Sequence, residues 1–199
     1  MLGTIINLLY FLPGILWAMS IHEFSHGYVA YKLGDPTAAR AGRLTLDPLK
    51  HIDPFGLIAL FIVHIGWAKP VPVNPSYFRN PKRDMMLVAL AGPASNFASA
   101  IAGFIIWKLL IDLNLNFVGL RQFMLSFTYI NVAFGTFNLL PLPPLDGWRI
   151  VEFFWKDSPR LEQVLPFTII LLITIFFWAP YVITTPIEII HNFLYRLVF

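Results

Sequence analysis

The chain has 199 residues, of which 57% are hydrophobic and 13% are charged, and its net charge is +3. Soluble domains are about 45–50% apolar and about 25% charged, so this composition excludes an ordinary water-soluble domain and predicts a membrane protein. The small net charge argues against nucleic-acid binding. The absence of cysteine excludes disulfides, thiolate metal sites and a cysteine nucleophile.

Four apolar stretches are long enough, or nearly so, to cross a bilayer core, which takes about 20 helical residues. They lie at 3–31, 85–111, 122–140 and 164–180. The first is too long for a signal peptide, so we expect a retained span. The C-terminal stretch 183–199 carries ionisable residues and is either a last span or a helix at the membrane interface.

Between the first two spans, segment 54–66 is apolar but has only 13 residues. That length is short for a span and typical of a re-entrant segment. The proline-rich stretch that follows, 69–75, can be neither a helix nor an inner strand. We therefore expect one all-α polytopic membrane domain over 1–199, with four to six transmembrane helices and a re-entrant or extended segment near 54–75.

The loop charges indicate the orientation of the chain. Lysine and arginine lie in the loops 32–53, 67–83 and 141–163, whereas 112–120 has neither. By the positive-inside rule the three basic loops are cytoplasmic, provided that 54–66 enters and leaves the membrane on the same side.

The first span contains His22-Glu23-Phe24-Ser25-His26. Histidines four residues apart share a helix face and can bind one Zn²⁺, and Glu23 can sit beside the site without being a ligand. Ionisable residues inside an apolar span are costly and usually functional. The pattern predicts a zinc site rather than stray polar residues at a helix end.

Catalytic zinc usually has a third protein ligand. Asp146 is a candidate because it closes a proline-rich exit from the third span, where irregular backbone is tolerated only against protein or water. Asp146-Gly147 is equally well explained as a turn, since this pair is common in turns. A similar depth of His26 and Asp146 near the cytoplasmic side favours the ligand. The roles of His51, His64 and His191 are left open.

Together these residues resemble the site-2 protease family of intramembrane zinc metalloproteases, in particular its compact bacterial and archaeal members. The resemblance covers about residues 10–150 and is carried by His22–Gly27, Ala91–Asn96, Asn138–Gly147, Gly34–Ala38, Arg43–Leu49, His51–Pro54 and Gly66–Pro75. The C-terminal region 151–199 matches little. The length leaves no room for the PDZ domain of larger members.

The resemblance implies that His22, His26 and Asp146 bind one zinc ion per chain and that Glu23 is the general base. It also implies that Asn96 and Asn138 support the site or the substrate, although helix–helix hydrogen bonds explain both asparagines equally well. The protein is then expected in a prokaryotic cell membrane, with its active site toward the cytoplasm.

The implied reaction is hydrolysis of peptide bonds within or near transmembrane segments of other proteins. A substrate helix must unwind first, and the extended stretch 67–75 offers an edge for pairing with it. Two alternatives are a catalytically inactive zinc-binding scaffold, which the intact Glu23 disfavours, and a metal transporter, which the uncharged spans 122–140 and 164–180 disfavour. The partners are the lipid bilayer and a membrane-protein substrate, and a homo-oligomer is left open.

Overall fold

A computed structural model describes residues 2–63, 66–155 and 161–199 of the chain. Within these residues the fold is all-α, as expected, and the only β-type pairing is one isolated bridge between Ile52 and Ala68. The helices of the described residues are α1 (Leu2–Lys32), α2 (Thr37–Arg40), α3 (Pro54–Val63), α4 (Pro81–Asp112), α5 (Val118–Asn138), α6 (Gly147–Phe154), α7 (Leu161–Trp178) and α8 (Tyr181–Val198).

Three long helices, α1, α4 and α5, pack against one another and form the centre of the protein. On the outside, α8 packs against α4 and α5, and its Ile187 is buried with Ala100 and Val132. The short helix α6 packs against α4, whereas the main contact of α7 is with α8. Side chains on α1 that face the other central helices are therefore shielded from the surroundings.

Polar residues fix both ends of the central helix α4. At its start the Asn80 side chain accepts a hydrogen bond from the Arg83 amide, and the Asp84 carboxylate accepts one from the Asn80 amide. This reciprocal capping satisfies donors that the first helical turn leaves free. At its end Asn114 adopts a left-handed conformation, with φ of 58°, which is typical of the residue that terminates a helix.

The residues just before α3 and those that follow its segment lie side by side. The Ile52–Ala68 bridge joins the two sides of this excursion, and the Lys69 amide donates a hydrogen bond of 2.8 Å to the His51 carbonyl. A methyl group at Gly56 would overlap the Trp67 carbonyl, so glycine permits this close return. The bridge and this hydrogen bond bring the chain before and after α3 together, and a re-entrant path of this segment in a membrane stays a prediction.

Among the described residues, α4 is long and apolar enough to cross a membrane. Helices α7 and α8 meet this criterion only as a pair that is bent by 75° at the break between them, as in a broken span or a re-entrant loop. One or two spans are thus supported by length and composition, and the larger number expected from the sequence stays a prediction.

Candidate metal centre

The centre of the site is the buried face of α1 that carries His22 and His26. Both imidazoles are buried, and their ring centroids lie 4.5 Å apart in an edge-to-face arrangement. The i, i+4 spacing places them on the same side of the helix, as the sequence predicted. They point into the interface with α4 rather than away from the protein.

Asp146 reaches the two histidines from the far end of α5. After this helix the chain turns through residues 139–145, and Asp146 stands immediately before α6. Its Oδ2 atom lies 3.1 Å from His22 Nε2 and 3.3 Å from His26 Nε2. A methyl group at Gly147 would overlap the backbone carbonyls of residues 139 and 140, so the glycine allows the tight return that delivers the carboxylate.

The other ring nitrogen of each histidine is already engaged. His26 Nδ1 lies 2.7 Å from the Val88 carbonyl oxygen, which can only accept, so Nδ1 carries the proton. His22 Nδ1 lies 2.7 Å from Asn96 Oδ1, while the amide nitrogen of Asn96 donates to the Ala18 carbonyl at 2.9 Å. Both imidazoles therefore direct an Nε2 lone pair toward Asp146.

These three atoms form a donor set that fits a zinc ion. Asp146 Oδ2 is buried, and no hydrogen-bond donor faces it among the described residues. With both Nε2 atoms unprotonated, the two lone pairs and the carboxylate oxygen repel one another, and a metal cation among them would remove this repulsion. Ligand atoms of His22, His26 and Asp146 all lie within 4.8 Å of one another. Tetrahedral zinc with bonds of about 2.0–2.1 Å needs ligand separations of about 3.3 Å, close to the two distances observed.

Gly92 of α4 makes room for the ligand atoms. A methyl group there would lie 2.5 Å from His26 Nε2 and 2.6 Å from His22 Cε1. Any larger residue would push against the edges of both rings that face Asp146. The sequence analysis included Gly92 only within a motif of the resemblance. A glycine in the middle of an apolar helix is a signal that could have indicated a close approach of side chains.

Glu23 is buried and is not among the converging ligand atoms. Its Oε2 atom accepts a hydrogen bond of 2.7 Å from the backbone amide of Val71, a buried residue of the proline-rich segment. Its Oε1 atom has no hydrogen-bond partner among the described residues. One oxygen is thus held by the protein, and the other can accept from a water molecule.

Asn96 and Asn138, for which the sequence predicted the same role, make different contacts in the structure. Asn96 is fully buried and contacts His22, as described above. Asn138 instead donates to the Phe134 carbonyl one turn earlier in its own helix, at 3.0 Å. Only Asn96 is therefore placed to orient a histidine.

His51 and His191 make contacts in other parts of the fold. His51 is fully buried, and its Nε2 donates to the Thr45 carbonyl at 2.8 Å, a bond that shapes the loop after α2. His191 lies on α8, with its Nε2 at 3.1 Å from Thr128 Oγ1 and its ring against Tyr129. His64 lies outside the described residues.

Comparison with known proteins identifies the family of the chain. Residues 110–177, which include Asp146, match the peptidase family M50. YwhC of Bacillus subtilis is 44% identical over 159 residues, which cover 77% of this chain and 73% of YwhC.

Two further relatives are more distant. Rip2 of Mycobacterium tuberculosis strain H37Rv is 31% identical over 173 residues, which cover 83% of this chain and 65% of Rip2. MJ0392 of Methanocaldococcus jannaschii is 26% identical over 132 residues, which cover 66% of this chain and 30% of MJ0392. All three relatives carry the words zinc metalloprotease in their names. No solved structure matches the chain significantly. The family match and the similarity to YwhC confirm the resemblance found in the sequence: the chain belongs to peptidase family M50 and is a zinc metalloprotease.

Proposed function

We propose that this protein hydrolyses peptide bonds within or near transmembrane segments of other membrane proteins. In this proposal His22, His26 and Asp146 hold one zinc ion, and Glu23 is the general base. The observation that carries it is the convergence of two Nε2 lone pairs on one carboxylate oxygen, Asp146 Oδ2, which is buried and has no hydrogen-bond partner among the described residues. The shielded position of this cluster, between α1 and α4, suits a substrate that is itself apolar.

The residues around the cluster have different roles in the proposed reaction. When bound, zinc supplies a Lewis acid that activates a water molecule and polarises the scissile carbonyl. Glu23 accepts a proton from the attacking water and delivers it to the leaving amide nitrogen. Asn96 and the Val88 carbonyl fix the tautomers of the two histidines, so that both rings are ready to bind the metal.

We further propose that the protein is a single membrane-embedded domain with four to six spans and a cytoplasmic active site. The basic loops 32–53 and 67–83 support this orientation, because the Ile52–Ala68 bridge brings the ends of the excursion between them together. Asp146 precedes the basic residue Arg149 by three positions, which supports a third ligand near the same side.

The decisive variant is Glu23→Gln, assayed on a purified transmembrane substrate in detergent. Glutamine keeps an oxygen that can accept from the Val71 amide but cannot act as a base at neutral pH. We expect the rate of cleavage to fall by about 10²–10⁴-fold, the usual contribution of general acid–base catalysis, with zinc still bound. Glu188→Gln, which changes an exposed carboxylate on α8, is the matched control and should cleave normally. Rapid hydrolysis by zinc-loaded Glu23→Gln would remove Glu23 from the mechanism.

The inactive-scaffold alternative is not favoured, because the chain belongs to a protease family and retains Glu23 beside the metal ligands. The same assay separates the two: a scaffold would bind zinc and leave the substrate uncut whether residue 23 is glutamate or glutamine.

A further inference from the structure

An extended segment, residues 69–74, lies against α1 and is here called the strap. Two side chains hold its two ends. The Arg43 guanidinium donates from Nη2 to the Lys69 carbonyl at 2.7 Å, and Asp35 Oδ2 accepts from the Asn74 amide at 2.7 Å. Neither contact involves a metal ligand, and each joins a side chain to the strap backbone.

Both anchoring side chains are buried, which makes their hydrogen bonds strong and costly to lose. Asp35 is fully buried, and its second oxygen accepts from the amide and the hydroxyl of Thr37, which fixes the carboxylate in place. Arg43 is also buried. A buried charged group that loses its partner carries the whole desolvation cost, so these anchors resist displacement.

Between the anchors the strap presents one amide to the proposed base. The Val71 amide donates to Glu23 Oε2 at 2.7 Å, and the Val71 side chain is buried against the Gly27 position of α1. Pro70 and Pro72 flank Val71 and fix φ on both sides of it. With its ends anchored and its prolines rigid, the strap has little freedom to turn this amide away from Glu23.

We propose that Arg43 and Asp35 are positioning residues for the general base and that they act through the strap. Arg43 and Asp35 set the place of the strap, the strap sets the direction of the Val71 amide, and that amide holds one oxygen of Glu23. The other oxygen is then left for the attacking water. This inference rests on the proposed role of Glu23 as the base.

The kinetic test compares Arg43→Gln and Asp35→Asn with the unaltered protein, each fully loaded with zinc. We expect kcat to fall by about 10–100-fold, because small misplacements of a catalytic group have effects of this size, while KM stays within about two-fold. Arg43→Lys keeps a cation that can donate to the Lys69 carbonyl, so it should recover much of the lost kcat.

Two exposed residues of the same types provide matched controls. Arg40→Gln removes an exposed guanidinium that makes a long, weak contact of 3.5 Å with the Tyr77 hydroxyl. Asp112→Asn removes a carboxylate that pairs with Lys108 at the C-terminal end of α4. Both variants should keep the kcat of the unaltered protein.

Hydrogen exchange reports on the strap without using activity. Prolines 70, 72 and 75 have no amide hydrogen, so residues 69–75 carry only the amides of Lys69, Val71, Val73 and Asn74. All of these except Val73 donate hydrogen bonds in the described structure. We expect Arg43→Gln and Asp35→Asn to accelerate exchange at Val71, while Val73 exchanges rapidly in every variant.

The kinetic, zinc-binding and hydrogen-exchange results together test the inference. A lower kcat with unchanged KM and zinc content, together with faster exchange at Val71, supports the inference. An unchanged kcat would overturn the inference, because Arg43 and Asp35 would then have no role in catalysis. A change in KM alone would overturn it by indicating contact with the substrate. Loss of zinc would overturn it by indicating an effect on the metal site. If Glu23→Gln is inactive while Arg43→Gln behaves normally, this inference fails and the proposed function stands. If Glu23→Gln cleaves rapidly, the proposed function fails.

Discussion

At the scale of single residues, the partners of the histidines matter as much as the histidines. His26 is oriented by a backbone carbonyl on α4, whereas His22 depends on the side chain of Asn96. A backbone partner survives any substitution at Val88, but the side-chain partner can be removed. The orientations of the two proposed ligands should therefore differ in how sensitive they are to mutation.

Replacing Asn96 by alanine should weaken zinc binding by about 10–100-fold, the usual effect of removing a group that orients a metal ligand. Asn138→Ala is the natural comparison, because Asn138 bonds only to its own helix among the described residues. Zinc affinity measured by competition with a chelator should separate the two variants. Equal affinities in both would contradict the role given to Asn96.

Gly92→Ala should also impair the metal site, since the added methyl group would meet His26 Nε2 at 2.5 Å. We expect zinc affinity to fall by roughly tenfold or more, in the range seen when groups around a metal ligand are displaced. Gly103→Ala adds a methyl group on the same helix, against the side chains of Phe127 and Thr128, and should leave zinc affinity unchanged. Normal zinc binding by Gly92→Ala would show that the rings can move aside.

At the scale of elements, the site depends on two irregular segments between helices. The turn after α5 delivers Asp146, and the strap after α3 delivers the Val71 amide. The sequence indicated an extended edge in this second segment for pairing with substrate. The structure shows that the Val71 amide already bonds to Glu23, while the Val73 amide has no partner among the described residues.

Proline substitutions distinguish these two uses of the strap. Val71→Pro removes the amide that holds Glu23, so kcat should fall by about 10²-fold if this bond positions the base. Val73→Pro removes an amide that makes no internal hydrogen bond, and it should impair cleavage only if the strap pairs with substrate. Cleavage kinetics of the two variants side by side give the answer: two equal losses would favour substrate pairing, and a loss at Val71 alone would favour positioning.

At the scale of the whole molecule, orientation in the membrane decides which compartment the site faces. The central helix α4 joins the basic region that precedes it to the loop 113–117, which carries no lysine or arginine. The positive-inside rule predicts that the start of α4 is cytoplasmic and that its end is external. On this prediction, a metal site near Val88, in the first part of α4, lies closer to the cytoplasm.

Because the chain has no cysteine, single cysteines can test this orientation without background labelling. Ser76→Cys and Leu115→Cys replace exposed residues before and after α4. In intact cells a membrane-impermeant maleimide should label the cysteine at 115 and spare the one at 76, and lysis should expose the latter. The opposite pattern would invert the topology and place the active site outside.

The sequence by itself determined the all-α class, the approximate extents of the long helices and the His22–His26 pair, because hydrophobic length and helical periodicity are local properties. Predicted boundaries differed from the helices by a few residues, as in 85–111 against Pro81–Asp112, since capping by Asn80 extends the helix past its apolar part. For Asp146, spacing alone could not separate a ligand from a turn residue.

Only the tertiary structure decided that Asp146 lies beside the histidines, that Asn96 rather than Asn138 contacts one of them, and that the strap donates a hydrogen bond to Glu23. These contacts join residues 48 to 124 positions apart, counted from Glu23 to Val71 and from His22 to Asp146. No local pattern encodes them, because they arise from how α1, α4 and α5 pack and from where the intervening loops return.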